Sequence, residues 1–191
     1  MRFCSIASGS SGNCIYVGSD NTHVLVDIGI SGKKMETGLN SLELTGRDLD
    51  GILITHEHSD HIKGLGVISR KYGIPIYATA GTVDAMVRTN ALGKIPEGIF
   101  HEIQENEPFM INDLKVNPFT IPHDAAQPVG YRLEDEGHSV GIATDLGKYN
   151  DYIIENLQGL DALLLEANHD IRMLQVGKYP YYCLLYTSPS P

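Results

Sequence analysis

The sequence predicts an α/β domain in which two β-sheets are flanked by helices. Three observations predict this fold class. Over the first half of the 191-residue chain, short apolar runs rich in β-branched residues alternate with helical patterns. Over the second half, strand-like runs follow one another closely. Apolar residues make up 42% of the chain and charged residues 20%, which is ordinary for a globular protein long enough to bury the core of one domain.

The predicted elements follow from these patterns in chain order. Strands are predicted near residues 2–7, 13–18, 22–27, 51–55 and 74–78, and helices near 32–43, 62–72 and 82–91. Ser31 and Thr82 are the expected N-caps, because a hydroxyl there can accept a bond from the first helical turn. The remaining predicted elements are strands near 99–103, 108–111, 114–120, 129–134 and 138–144, a helix near 149–157 and an apolar strand over 161–166.

The chain carries no sequence signal for a membrane. It has no run of eighteen apolar residues, so we expect no membrane-spanning segment. The start, Met-Arg-Phe-Cys, lacks the apolar core of a signal peptide, and a cytoplasmic location is expected. Cys4 and Cys14 lie in apolar, strand-like settings and are expected to be reduced thiols without a catalytic role.

The heptapeptide Thr-His-Glu-His-Ser-Asp-His at 55–61 predicts a metal site. It joins a short apolar strand to a helical pattern, and open sheets place their sites at such carboxyl ends of strands. In a tight turn His56 and His58 can converge on one ion while Asp60 and His61 reach a second. Imidazole suits Zn, Fe or Mn, and the carboxylate makes the second ligand set harder in the hard–soft sense of metal coordination. A polar loop that merely contains histidines is the weaker alternative.

Further ligands are expected at other strand ends, because one strand end cannot complete two metal shells. An apolar run ends at His123 and another ends at Asp145. Alone, His123 could be an ordinary loop residue, and Asp145 could cap the helix near 149–157. Together with the heptapeptide, both are predicted to be ligands.

These residues, taken in order, resemble the motifs of the metallo-β-lactamase superfamily. The set is Asp27, His56, His58, Asp60, His61, His123 and Asp145. The opening segment Cys4–Asn13 and the later Glu166–Asp170 resemble the bacterial YycJ/WalJ branch of that superfamily. The resemblance runs from residue 1 to about residue 182. It implies the αββα sandwich of the superfamily and a metal-dependent phosphodiesterase with 5′-exonuclease activity on DNA.

The resemblance also implies residue roles. His56, His58 and His123 would hold the first ion, Asp60 and His61 the second, and Asp145 would bridge the two. Asp60 would also orient a hydroxide, shared by the ions, that attacks the phosphodiester. Asp27 would support the heptapeptide through hydrogen bonds; a simple turn carboxylate is the alternative. The implied cofactors are two divalent ions, zinc first and manganese or iron as alternatives, and the implied partner is DNA, with no obligate protein partner.

The chain departs from the superfamily pattern near its end. The superfamily's last histidine ligand for the second ion has no counterpart after Asp145. The only later histidine is His169, which could lie near the substrate, donate a proton to the leaving group or be a surface residue. Residues 183–191 match an in-frame translation of a common sequencing-adaptor end and are interpreted as foreign. The domain is therefore predicted to comprise residues 1–182 and to lack its final elements.

The glycine-rich stretch Ser8–Asn13 is predicted to be a strand-to-strand connection. It lacks the Gly-Lys-Ser/Thr ending of a phosphate loop, and no helix follows it. An alternative is a loop beside the metals whose backbone N–H groups contact a substrate phosphate. On that reading Ser10 and Asn13 lie near the substrate.

The net charge of −10 argues against a nucleic-acid substrate, because proteins that bind the phosphate backbone usually present a basic face. A local patch could still be formed by Lys33, Lys34, Arg70, Lys71, Arg88 and Lys94. Three other functions stay open. One is a hydrolase of a thioester, lactone or β-lactam, and another is a metal-binding protein without turnover. The third, a di-iron redox protein, is disfavoured because that branch resembles H-x-E-x-D-H and this chain has His58 at the third position.

Overall fold

The computed structural model describes residues 1–166, and the segments considered above that follow residue 166, including His169 and residues 183–191, lie outside the described residues. The described elements are β1 (Arg2–Ala7), β2 (Cys14–Gly18), β3 (His23–Val26), α1 (Gly32–Ser41), β4 (Gly51–Leu53), α2 (Ser59–Ile62), α3 (Leu65–Tyr72), β5 (Ile76–Thr79), α4 (Ala80–Arg88), β6 (Phe100–Ile103), β7 (Phe109–Ile111), β8 (Leu114–Thr120), β9 (Val129–Asp135), β10 (His138–Ala143), α5 (Asp151–Leu157) and β11 (Ala162–Leu165).

The strands form two sheets. The first has the order β1-β2-β3-β4-β5-β6, with antiparallel pairs from β1 to β3 and parallel pairs from β3 to β6. The second has the order β11-β10-β9-β8-β7 and is antiparallel except for the β10–β11 pair. Helices α1, α3 and α4 pack on the first sheet and α5 packs on the second, so the predicted αββα arrangement is confirmed.

The core is divided by the first sheet. Along β2, Cys14 and Tyr16 face the helices, whereas Ile15 and Val17 face the second sheet. All four are fully buried, because a strand of a covered sheet must be apolar on both faces. Burial raises the pKa of the Cys14 thiol, and both Cys4 and Cys14 are free, as the sequence predicts.

One edge of the sandwich collects the carboxyl ends of strands from both sheets. Asp27 follows β3, the heptapeptide follows β4, and Asp145 follows β10. The two sheets are joined here by a backbone hydrogen bond of 3.0 Å, from the Val129 N–H at the start of β9 to the Thr55 carbonyl. This edge therefore brings side chains from distant parts of the sequence together.

Two local predictions need correction. The predicted helix over 62–72 is divided into α2 and α3, because the Gly64 N–H donates to the Ile28 carbonyl (2.8 Å) and not within a continuous helix. Helix α4 begins at Ala80 after Thr79, so Thr82 is not its N-cap. Ser31 does cap α1, accepting from the Lys34 N–H (3.4 Å). Among residues 1–166, the structure has no helix long and apolar enough to cross a membrane.

Candidate metal centre

Three predicted ligands converge although they come from two different sheets. His56, His58 and His123 each present a ring nitrogen, and the three nitrogens lie within 4.8 Å of one another. The rings are close to perpendicular in pairs, with centroids 4.6–4.9 Å apart. His58 Nδ1 and His123 Nε2 are 3.1 Å apart, close to the spacing of about 3.3 Å between two nitrogens bound to one tetrahedral zinc. This group has the composition and the compactness of a metal site.

A second group of donor atoms lies beside the first and shares His56 with it. It consists of His56, His61 and Asp145, whose ligand atoms also lie within 4.8 Å of one another. Asp145 Oδ2 is 2.8 Å from His61 Nε2 and 3.7 Å from His56 Nε2. Asp60 Oδ2 is 3.6 Å from His61 Nε2, and its side chain is 31% exposed. The structure thus brings together all six residues that the sequence singled out as ligands.

Asp27 and Thr55 determine which nitrogen of two histidines faces the centre. Asp27 is fully buried and accepts from the Thr55 N–H (2.9 Å), the Thr55 hydroxyl (2.7 Å) and His61 Nδ1 (2.7 Å). Because the Thr55 hydroxyl has one proton and donates it to Asp27, it accepts from His56 Nδ1 at 3.0 Å. Both rings therefore carry their proton on Nδ1, and both Nε2 atoms are directed at the candidate metal positions.

The electrostatics of His56 fit metal binding. Burial, followed by the neighbouring rings of His61, His123 and His58, lowers the pKa of His56 well below its ordinary value. Its Nε2 atom is buried and has no hydrogen-bond partner among residues 1–166. A neutral imidazole with a buried, unpaired nitrogen is the form that a metal ion requires. Burial also lowers the pKa of His123.

His61 behaves in the opposite way. Burial opposes its charged form, but Asp27 and Asp145 outweigh burial and raise the pKa of His61 to about 10. Burial likewise opposes ionisation of Asp145, but the bond from His61 lowers the pKa of that carboxyl overall. Without an ion, a proton therefore lies between His61 Nε2 and Asp145 Oδ2. His61 and Asp145 would hold an ion only after giving up that proton, so metal binding here would release a proton.

The two key carboxylates have unusual backbone conformations. Asp27 has a φ of 62° and Asp145 a φ of 54°. Such left-handed conformations are uncommon for residues other than glycine, although Asp and Asn adopt them more readily than most. Both residues follow the end of a strand, where the turn directs the carboxylate toward the histidines. Strained backbone of this kind is concentrated at functional sites.

Close backbone packing holds the heptapeptide against the first loop of the chain. The Asn13 N–H donates to the Asp60 carbonyl (2.7 Å), and a Cβ on Gly29 would lie 1.5 Å from that carbonyl oxygen. The Asn13 side chain is buried, with its Nδ2 3.1 Å from His61 Nε2. Ser10 is exposed on the same loop. Of the two residues of this loop that could lie near the substrate, Ser10 is thus the accessible one, whereas Asn13 contacts a candidate ligand.

Two further residues of the centre were not identified from the sequence as functional. Thr55 joins Asp27 to His56, and Glu57 accepts a bond of 2.8 Å from the Ala126 N–H. Asp27 lies 28 residues from Thr55 in the chain, and Ala126 lies 69 residues from Glu57. Thr55 and Glu57 both belong to the heptapeptide, but the spacing of its His and Asp residues identifies only the metal ligands.

Comparisons with known proteins identify the family of this fold. A family profile described as "Beta-lactamase superfamily domain" matches residues 22–178. The chain is 41% identical over 181 residues to "Exodeoxyribonuclease YycJ" of Bacillus anthracis, covering 95% of this chain and 68% of that protein. It is 39% identical over 181 residues to "Exodeoxyribonuclease WalJ" of Streptococcus pneumoniae, covering 67% of that protein. The chain thus spans about two thirds of the length of these relatives, and the predicted YycJ/WalJ branch is confirmed.

Solved structures show the same fold at lower sequence identity. Zn(2+)-bound PqqB from Methylobacterium extorquens superimposes with a TM-score of 0.70 and 19% identity, covering 85% of this chain and 63% of that one. The metallo-beta-lactamase fold protein YhfI from Bacillus subtilis gives a TM-score of 0.68 and 19% identity, covering 85% of this chain and 66% of that one.

Proposed function

The chain belongs to the beta-lactamase superfamily, and on that premise we propose that it is a dinuclear metal-dependent phosphodiesterase that degrades DNA as a 5′-exonuclease. The observation that carries the proposal is the pair of adjacent donor groups that share His56. Two-metal hydrolases place their ions about 3.5–4 Å apart, which requires such contiguous ligand sets. The two relatives named exodeoxyribonucleases, each aligned over 95% of this chain, support DNA as the substrate.

The proposed cofactors are two divalent ions, with zinc the first choice. Three imidazoles form one donor group, and the carboxylate of Asp145 joins two imidazoles in the other, a combination that suits zinc and also admits manganese or iron. When bound, the two ions would supply a nucleophile at neutral pH and positive charge opposite the scissile phosphate.

The residues of the chain are proposed to have distinct roles around these ions. His56, His58 and His123 hold the first position. Asp145 would contribute to both positions, in keeping with its approach to both His56 and His61. Asp60, whose side chain is partly exposed, would complete the second position and orient the nucleophile. Asp27 holds the Nδ1 proton of His61, so that only Nε2 is available as a ligand.

A second candidate function is hydrolysis of an acyl substrate such as a thioester or lactone. The net charge of −10 favours it, because a DNA-binding face is usually basic. Two of the basic side chains that could form a patch are committed elsewhere: Lys71 Nζ lies 2.5 Å from Glu36, and Arg70 donates to the backbone carbonyls of Leu92 and Lys94. DNA binding by this chain would therefore involve few phosphate contacts from basic side chains and would rely more on the metal centre itself.

Digestion of DNA by this chain is expected to be directional. The zinc-loaded chain is expected to shorten a 3′-labelled DNA strand stepwise from its 5′ end, because the ions activate a nucleophile for phosphodiesters. The length of the labelled products is followed over time by denaturing electrophoresis. The same strand with a bulky 5′ block is the matched control and should resist digestion. Preferential hydrolysis of a thioester or β-lactam would favour the acyl alternative, and bound zinc without turnover of any substrate would indicate a metal-binding protein.

A further inference from the structure

We propose that Glu57 is a positioning residue that sets the location of His123 at the metal centre. The loop between β8 and β9 carries His123, and the loop after β4 carries His56 and His58. Glu57 ties the first of these loops to the second. The inference rests on the metal centre of the proposed function, but it concerns how one ligand reaches that centre and not which substrate is cleaved.

The contact that carries the inference joins residues far apart in sequence. Glu57 Oε1 accepts from the Ala126 N–H at 2.8 Å, across 69 residues. A second bond between the same loops, from the Val129 N–H to the Thr55 carbonyl, involves only backbone atoms. Apart from the contact between His58 and His123 themselves, the bond from Glu57 is the hydrogen bond between these two loops, among residues 1–166, that depends on a side chain. It is made three residues from His123.

The rest of the loop is fixed on its other side by α4. Gln127 Oε1 accepts from the Gly81 N–H (2.8 Å), and the Gln127 carbonyl accepts from the Thr79 hydroxyl (2.8 Å). Gln127 is thus held to the first sheet, and Ala126 is held to the heptapeptide. Within the loop, Asp124 Oδ1 lies 3.2 Å from His123 Nδ1 and directs the ring. Because the ring is oriented from within its own loop, a shift of the loop moves His123 Nε2 relative to His56 and His58.

The second carboxylate oxygen of Glu57 indicates that this residue contributes little to the stability of the fold. Oε2 is buried and makes no hydrogen bond with any residue in the described range 1–166. A buried carboxylate oxygen without a partner is unfavourable for stability. We therefore expect substitutions of Glu57 to change metal binding much more than the unfolding temperature of the metal-free chain.

Four variants of the full chain test this role. Glu57→Gln keeps an oxygen that can accept from Ala126, whereas Glu57→Asp keeps the carboxylate but withdraws it, and Glu57→Leu removes the acceptor. Glu97→Leu, an exposed glutamate in the loop before β6 at the opposite end of the sheet, is the control. Zinc affinity is measured by competition with a chromophoric chelator, ligand geometry by the visible absorption of the Co²⁺-loaded chain, and folding by circular dichroism.

The expected results show whether Glu57 acts through its hydrogen bond to Ala126 or through its negative charge. Glu57→Leu and Glu57→Asp should weaken one of two zinc sites about tenfold and alter the Co²⁺ spectrum, while Glu57→Gln and Glu97→Leu should match the parent. Parent-like binding by Glu57→Leu, or equal losses in Glu57→Gln and Glu57→Leu, would overturn the inference. A parent chain that binds two ions but leaves DNA intact would contradict the proposed function. The role of Glu57 would still be tested, because metal binding is measured without DNA cleavage. A parent chain that binds no ion would overturn both.

Discussion

Asp27→Ala is expected to remove the second metal position and to destabilise the fold by about 3 kcal/mol. Asp27 accepts three hydrogen bonds inside the protein, from the Thr55 N–H, the Thr55 hydroxyl and His61 Nδ1. Its loss leaves buried donors without partners, each at a cost of about 1–3 kcal/mol. Alanine is also poorly suited to a φ of 62°. Zinc stoichiometry and urea-induced unfolding of the metal-free chain measure the two effects.

Asp27→Asn separates the backbone requirement from the carboxylate. Asparagine tolerates the left-handed conformation, and its carbonyl oxygen can still accept from the Thr55 N–H. Its amide nitrogen cannot accept from the Thr55 hydroxyl or from His61. This variant should therefore be more stable than Asp27→Ala yet still bind the second ion weakly. Two tightly bound ions in Asp27→Ala would show that the ligands do not depend on Asp27.

Asp145→Asn is expected to reduce metal content from two ions to one and phosphodiesterase turnover by at least about 100-fold. Asp145 is the carboxylate that approaches both His56 and His61, so its replacement by a neutral amide would remove the proposed bridging ligand. Asparagine tolerates the φ of 54° at this position, which limits the effect on folding.

Metal analysis and initial rates on a chromogenic phosphodiester measure this effect. Asp151→Asn, in the exposed first turn of α5, is the matched control and should retain both ions and full turnover. An Asp145→Asn chain with two ions and parental turnover would exclude Asp145 as a bridging ligand.

Much of the fold and the ligand set could be predicted from the sequence because both depend on local signals. Apolar runs mark the strands, and polar residues that directly follow those runs mark the edge where the site forms. His123 and Asp145 were predicted in this way, without knowledge of the sheet order. The sandwich then places these strand ends together, because β3, β4, β8 and β10 all end at one edge.

The long-range hydrogen bonds that set the ends of the helices could not be predicted from the sequence. The first turn of α4 is capped by Gln127, 46 residues away from Gly81, and the sequence pattern, which points to the hydroxyl of Thr82, predicts the wrong N-cap. The break between α2 and α3 depends on a bond from Gly64 to Ile28 in another loop. A helical pattern carries no information about such partners. Tertiary packing decides whether a backbone N–H bonds within the helix or to a carbonyl of another loop.

Metal counting paired with hydrolysis of bis(p-nitrophenyl) phosphate tests the central claim most directly. We expect two zinc ions per chain and metal-dependent turnover. His58→Ala should lose the first ion and nearly all turnover, because His58 Nδ1 is one of the three nitrogens of the first donor group. A folded chain that binds no zinc, or a His58→Ala chain that keeps both ions and full turnover, would contradict the account.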